Sequence, residues 1–141
     1  MDATAIRGRL AEARVARLAT ISEERRPHLV PICLALDGDT IYFAVDAKPK
    51  RTHDLQRLRN IAANPAVSVL ADHYEEDWSR LWWVRVDGTA RVLDAGPESD
   101  RALDLLVSRY PQYQRARPAG PVVAISIARI SGWEAVENPA C

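Results

Sequence analysis

The sequence predicts an α+β domain in which an antiparallel sheet, or small barrel, carries short helices. Three observations lead to this class: about six segments have the pattern of strands, only three have helical spacing, and short turns join most of the strands. A chain of 141 residues with 48% hydrophobic residues suits one domain with a real core. We therefore expect residues 1–141 to form a single domain.

The first half of the chain is predicted to contain one helix followed by three strands. Apolar residues at helical spacing indicate a helix over Thr4–Ala13. Alternation over Val15–Ser22 and a β-rich run over His28–Leu36 indicate a hairpin. Asp37–Asp39 is a tight-turn signal, and "TIYFAV" (residues 40–45) follows it as the third strand. Three consecutive antiparallel strands would form a meander.

The second half is predicted to contain two helices and three strands. Helical spacing begins at Thr52 and stops at Asn64 and Pro65. Asp87 and Gly88 lie inside a long alternating run, and the alternation on both sides indicates a β-bulge rather than a turn. Pro97 suits the first turn of a helix that ends at "YPQY" (residues 110–113). The strands predicted here are Ala66–Asp72, Leu81–Leu93 and Val122–Val136.

The overall charge excludes some classes of partner. Nineteen basic residues balance nineteen acidic ones, so no global field favours nucleic acid or an anionic membrane. No apolar run approaches the length of a membrane helix, and the first twenty residues lack the apolar centre of a signal peptide. Cys33 and Cys141 do not have metal-ligand spacing. We expect a reduced cytoplasmic protein that binds neither nucleic acid nor membranes.

A cluster of positive charge precedes the second predicted helix. Lys48, Lys50 and Arg51 come just before Thr52, the predicted N-cap residue of that helix. Free backbone N–H groups, the positive end of the helix dipole and these cations would converge and form an anion site. The alternative is a solvated loop whose charges serve solubility. Cations at a helix N-terminus normally cost stability, which favours the anion site.

Other chemistry-bearing residues give weaker signals. His28 and His53 lack further ligands at metal-site spacing, so we expect no metal. No serine lies in a nucleophile elbow and no base accompanies Cys33, so no catalytic residue is nominated. Trp82 and Trp83 are neighbours on a predicted strand and must point to opposite faces: one can fill the core, and the other needs a partner subunit or a ring to stack on.

The order of these motifs resembles the pyridoxamine 5′-phosphate oxidase-like split β-barrel family. The similarity covers residues 15–93 closely and the last strand loosely, and the nearest group is its branch that uses the deazaflavin coenzyme F420. The motifs that carry the resemblance are the basic junction with its helix, "NPAVSVL" (residues 64–70) and "VDGTARVL" (residues 86–93).

The resemblance implies a split β-barrel homodimer with cofactor sites at the subunit interface. The implied function is an F420-dependent oxidoreductase acting on a small conjugated substrate, and the alternatives are an FMN-dependent oxidase or a carrier without turnover. Lys48, Lys50, Arg51 and Thr52 would hold the phosphate of the cofactor. The ring would lie against Val30, Pro31, Ile32 and Ala44, with Trp78 or Trp82 approaching from the other subunit.

Overall fold

The computed structural model of the chain describes residues 1–45 and 51–136, and for residues 51–55 it describes the backbone only. Within these residues, seven strands form one antiparallel sheet, and four α-helices and one short 3₁₀ helix accompany it. This is the α+β split-barrel architecture predicted from the sequence. The helices are α1 (Ala3–Glu12), α2 (Arg51–Ala63), α3 (Pro97–Arg109) and α4 (Pro111–Arg115), with the 3₁₀ helix at Trp78–Arg80. The strands are β1 (Ala16–Ile21), β2 (Pro27–Ile32), β3 (Ala35–Asp37), β4 (Thr40–Ala44), β5 (Ala66–His73), β6 (Trp82–Leu93) and β7 (Val122–Glu134). Their order across the sheet is β2-β1-β5-β6-β7-β4-β3.

The segment predicted as one strand over His28–Leu36 is broken, so the predicted meander is wrong. β2 pairs with β1, whereas β3 pairs with β4 at the opposite end of the sheet. The break falls at Cys33 and Leu34. The backbone N–H and C=O of Leu34 bond to side chains of Tyr110 and Arg109 instead of to a neighbouring strand.

The locally encoded features agree with the prediction. β1 and β2 form the expected hairpin, and a two-residue turn joins β3 to β4, where Gly38 has the positive φ of 58° that glycine tolerates. The register of β6 against β7 shifts between Asp87 and Gly88, which confirms the bulge. A Cβ at Gly88 would lie 2.5 Å from the Ser126 backbone oxygen, so the close strand approach at this bulge requires glycine.

Two core clusters fill the fold. The larger lies inside the barrel and joins the inner faces of the strands to α1 and α2, with Phe43 as its largest buried side chain. The smaller packs α3 against β4 and β7 through residues such as Leu106 and Val122. None of the helices in the described part of the chain is both long and apolar enough to span a bilayer.

Candidate functional site

Helix α2 carries the predicted phosphate site, and two polar side chains fix this helix to β1. The buried Asn60 donates from Nδ2 to Thr20 Oγ1 at 3.0 Å, and Gln56 Nε2 donates to Asn60 Oδ1 at 2.7 Å. A buried amide without partners would cost about 1–3 kcal/mol, so these bonds select one position of α2 on the sheet. The start of α2 is thereby held in a fixed relation to β1 and its neighbour β2.

α2 begins at Arg51, so the prediction that Thr52 caps it is wrong. A residue within the first turn has helical backbone angles and adds its own N–H to the free N–H groups of the helix start instead of capping them. Lys48 and Lys50 lie outside the described residues, and only the backbone of Arg51 and Thr52 is described. The convergence of these four residues on a phosphate stays a prediction.

The residues predicted to hold a ring lie on β2 and β4. β2 has a strand neighbour on one side only, so the backbone groups along its other edge are not used by the sheet. Ile32 and Ala44 are buried, Val30 packs partly buried against the main core, and Pro31 is exposed on the opposite face. Ile32 shares the main core cluster with Val45, the residue that follows β4. Ala44 belongs instead to the smaller cluster, so it faces α3 and not the main core that Val30 and Ile32 contact.

His28 is a residue of β2 that sequence reasoning considered only as a metal ligand. Its ring nitrogen Nδ1 is buried and has no hydrogen-bond partner among the described residues. Its cross-strand neighbour Thr20 already accepts from Asn60. A buried polar atom without a hydrogen-bond partner is rare because it costs folding free energy. A ligand bound at this edge of the barrel could form the missing hydrogen bond. Such an atom fits a cofactor that has polar ring atoms.

Trp82 and Trp83 point to opposite faces of β6, as the alternation of side chains along a strand predicts. Trp82 packs against the main core, under the guanidinium of Arg9 at 4.9 Å from the ring centre. Trp83 points to the other face and lines a pocket of about 360 Å³ with Leu70, Tyr74 and Arg85 among its other walls. Trp78 is 77% exposed. A partner or ligand can therefore reach Trp83, and not Trp82, from the outer face of the sheet. The sequence alone could not decide which of the two faces outward.

A cleft of about 560 Å³ opens beside the break between β2 and β3. It is bounded by the turn between α1 and β1, by Cys33, and by the elbow between α3 and α4, and its lining comprises Arg14, Val15, Cys33, Tyr110, Pro111, Gln112 and Tyr113. Burial raises the pKa of the Cys33 thiol, although a hydrogen bond with Tyr113 and the charge of Arg109 oppose the rise. Cys33 also packs against the cluster that contains Ala44. The cleft thus lies beside the smaller core cluster, at the break between β2 and β3.

Sequence reasoning missed this cleft because its walls are distant in the chain. Arg109 donates to the carbonyls of Leu34 and, at 2.7 Å, Ala13, whereas Arg14 donates to the carbonyl of Arg109 at 2.6 Å. The buried hydroxyl of Tyr110 accepts from the Leu34 N–H at 2.9 Å and faces the carbonyls of Leu34 and Arg14. These bonds tie three separate segments into one wall. The available signal is "SRYPQY" (residues 108–113), whose aromatic and basic residues exceed what ending a helix requires.

We expect Tyr110→Phe to destabilise the protein by about 1–3 kcal/mol, because it leaves the buried Leu34 N–H without its acceptor. Thermal unfolding measured by circular dichroism tests this. Tyr113→Phe is the matched control, because Tyr113 is only partly buried and its hydroxyl is not bonded to the Leu34 N–H. Equal melting temperatures of Tyr110→Phe and the parent would show that the hydroxyl does not hold the break.

The outer face of the sheet is unusually apolar. Cross-strand pairing places Leu29, Leu70 and Trp83 on this face, together with Trp133, the direct partner of Trp83 on β7. Leu29 is 70% exposed and Leu70 is 37% exposed. Arginines and aspartates lie between these residues. One such pair is Arg85 and Asp87, whose Nη2 and Oδ2 atoms are 3.0 Å apart. A surface with an apolar centre and both signs of charge can pair with its own copy.

The fold is a split β-barrel, and sequence comparison supplies the family. The family model described as pyridoxamine 5′-phosphate oxidase matches residues 3–134, so the chain belongs to this family. No curated protein is detectably similar in sequence.

Solved structures of the same fold come from several bacteria. A conserved hypothetical protein from Mycobacterium tuberculosis is 20% identical, with a TM-score of 0.75 over 100% of this chain and 95% of the other. An FAD-binding protein from Mesorhizobium loti is 24% identical, with a TM-score of 0.71 over 94% of each chain. The haem storage protein of Vibrio cholerae is 13% identical, with a TM-score of 0.71 over 94% of this chain and 93% of the other. At these identities the likeness establishes a shared fold.

Proposed function

We propose that this protein binds coenzyme F420 and transfers hydride between the reduced cofactor and a small conjugated substrate. The observation that carries the proposal is the start of α2 at Arg51, directly after the basic run that includes Lys48 and Lys50. A helix start offers free N–H groups and positive potential, and cations placed there are unfavourable unless an anion binds. The junction therefore suits the phosphate of a cofactor of this family.

Other described residues would bind the cofactor ring and the substrate. The bound cofactor supplies the hydride chemistry, while the protein orients it and excludes water. The unpaired edge of β2 offers backbone hydrogen bonds to the ring, beside Val30 and Ile32. The cleft beside Cys33 gives a small substrate access to the same region, and the phenol of Tyr113 and the guanidinium of Arg14 supply polar contacts in it.

The active form we propose is a homodimer that buries the outer face of the sheet. Two copies related by a two-fold axis would bring the same patch together, including Leu29, Leu70 and Trp83. Trp83 and Tyr74 would then face the partner, so each cofactor site would be completed by aromatic residues of the other subunit. Trp78, which is 77% exposed, is a further candidate for that contact, whereas Trp82 packs against the main core of its own subunit.

Steady-state turnover distinguishes an enzyme from a carrier. Purified protein is mixed with reduced F420 and a panel of quinones and nitroaromatic acceptors, and loss of reduced cofactor is followed by the return of oxidised F420 fluorescence. The proposal predicts a rate proportional to protein concentration with at least one acceptor. Saturable binding without turnover of any acceptor would instead favour a carrier. A haem or FMN chromophore in the purified protein would point to one of those cofactors.

A further inference from the structure

We propose that His28 is a cofactor-contact residue whose Nδ1 atom hydrogen-bonds to the ring of the bound cofactor; this inference rests on the proposed function. His28 Nδ1 is the one side-chain atom of β2 that is buried without a hydrogen-bond partner among the described residues. The backbone pairing of β2 with β1 is regular through Thr20 and His28, so the orphaned atom does not arise from a local irregularity.

No group of the described residues hydrogen-bonds to His28 Nδ1. Thr20 lies directly opposite on β1, and its hydroxyl oxygen accepts a hydrogen bond from the Asn60 amide. The Asn60 oxygen in turn accepts from Gln56. The side chains of Thr20, Asn60 and Gln56 on the inner face are therefore hydrogen-bonded to one another. Nδ1 stays without a partner while these bonds form, so a ligand group placed beside it would complete its hydrogen bonding.

The position of His28 along β2 matches the length of the ring. Residues two apart on a strand point to the same face and are about 7 Å apart, so His28 shares its face with Val30 and Ile32, the predicted ring contacts. A three-ring system beside residues 30–32 extends to within reach of residue 28. The pyrimidine end of a flavin or deazaflavin carries carbonyl and N–H groups, and imidazole can donate to or accept from either.

The substitutions that test the proposal separate binding from stability. His28→Leu removes both ring nitrogens at similar size, while His28→Asn keeps a hydrogen-bonding atom near the place of Nδ1. Because Nδ1 has no partner in the free protein, His28→Leu should unfold at the same or a higher temperature without cofactor. Its dissociation constant for F420 should rise about three- to tenfold, as expected for one lost hydrogen bond, and that of His28→Asn should stay within about twofold of the parent.

Fluorescence titration with F420 and melting curves with and without it give both quantities. Weaker binding by His28→Leu with unchanged or raised stability supports the contact. Equal binding by parent and His28→Leu would overturn it while leaving the proposed function intact. A cofactor-free His28→Leu variant that is less stable than the parent would also overturn it, because Nδ1 would then have a structural partner. Failure of the parent to bind F420 or FMN would remove the proposed function and this contact with it.

Discussion

Replacing Lys50 and Arg51 with alanine should weaken cofactor binding by about 2–5 kcal/mol, which corresponds to roughly 30- to 5,000-fold in dissociation constant. The substitutions remove charge-assisted hydrogen bonds to the phosphate and leave Lys48, the Thr52 hydroxyl and the backbone N–H groups of α2 as its remaining donors. Surface charges contribute little to folding, so the melting temperature should stay close to that of the parent. Titration calorimetry and thermal unfolding of the same preparation measure the two effects.

The matched control for this double variant is Arg59→Ala with Arg115→Ala. Both side chains are exposed, and the pair removes the same number of positive charges from positions away from the start of α2. The control should bind the cofactor nearly as tightly as the parent, with a small loss from the weaker general field. If both double variants lose affinity equally, the effect belongs to net charge and the junction is a solvated loop.

Leu70→Asp should convert the proposed homodimer into a monomer. The substitution places a carboxylate on the outer face of each copy, where burial of an unpaired charge against another apolar surface is strongly unfavourable. We expect the dimer dissociation constant to rise at least about a hundredfold, or about 3 kcal/mol. Cofactor binding should weaken as well, because the aromatic residues of the second subunit would no longer complete the site.

Val92→Asp is the control for the dimer prediction. Val92 is 41% exposed, close to the 37% of Leu70, but the alternation of β6 places it on the face opposite to Trp83. Sedimentation velocity over a concentration series compares the three proteins. A parent that is monomeric at tens of micromolar, or a Leu70→Asp variant that stays dimeric, would show that the outer face is not the subunit interface.

The features that sequence predicted correctly depend on neighbours in the chain. The Gly38 turn, the end of α2 at Asn64 and Pro65, and the bulge at Gly88 each follow from a backbone preference and its flanking pattern. Opposite faces for Trp82 and Trp83 follow from strand geometry. Which of the two faces inward depends on α1, whose Arg9 covers Trp82.

The features that sequence missed depend on contacts between distant segments. The strand break at Leu34 is fixed by Tyr110, which is 76 residues away, so the apolar run 28–36 alone reads as one strand. Pro111 reads as the terminator of α3 but also starts the short helix α4. The orphaned His28 nitrogen became visible only once the partners of Thr20 and Asn60 were known. The cleft beside Cys33 requires the same long-range contacts.

A paired titration of the purified protein with F420 and FMN, at low and high salt, shows which cofactor the protein prefers. F420 carries a polyglutamate tail beyond the phosphate, and the run of Lys48, Lys50 and Arg51 holds more positive charge than one phosphate requires. Arg57 on α2 does not extend this run into solvent, because its guanidinium lies 5.9 Å from the centre of the buried Phe43 ring. Exposed ion pairs contribute about 0.2–1 kcal/mol each and are screened within about 8–10 Å at physiological salt. We expect one F420 per chain, bound about tenfold more tightly than FMN at low salt, with the preference shrinking at high salt. Equal or tighter binding of FMN at low salt would contradict the assignment of F420, and absence of binding by either would contradict the site itself.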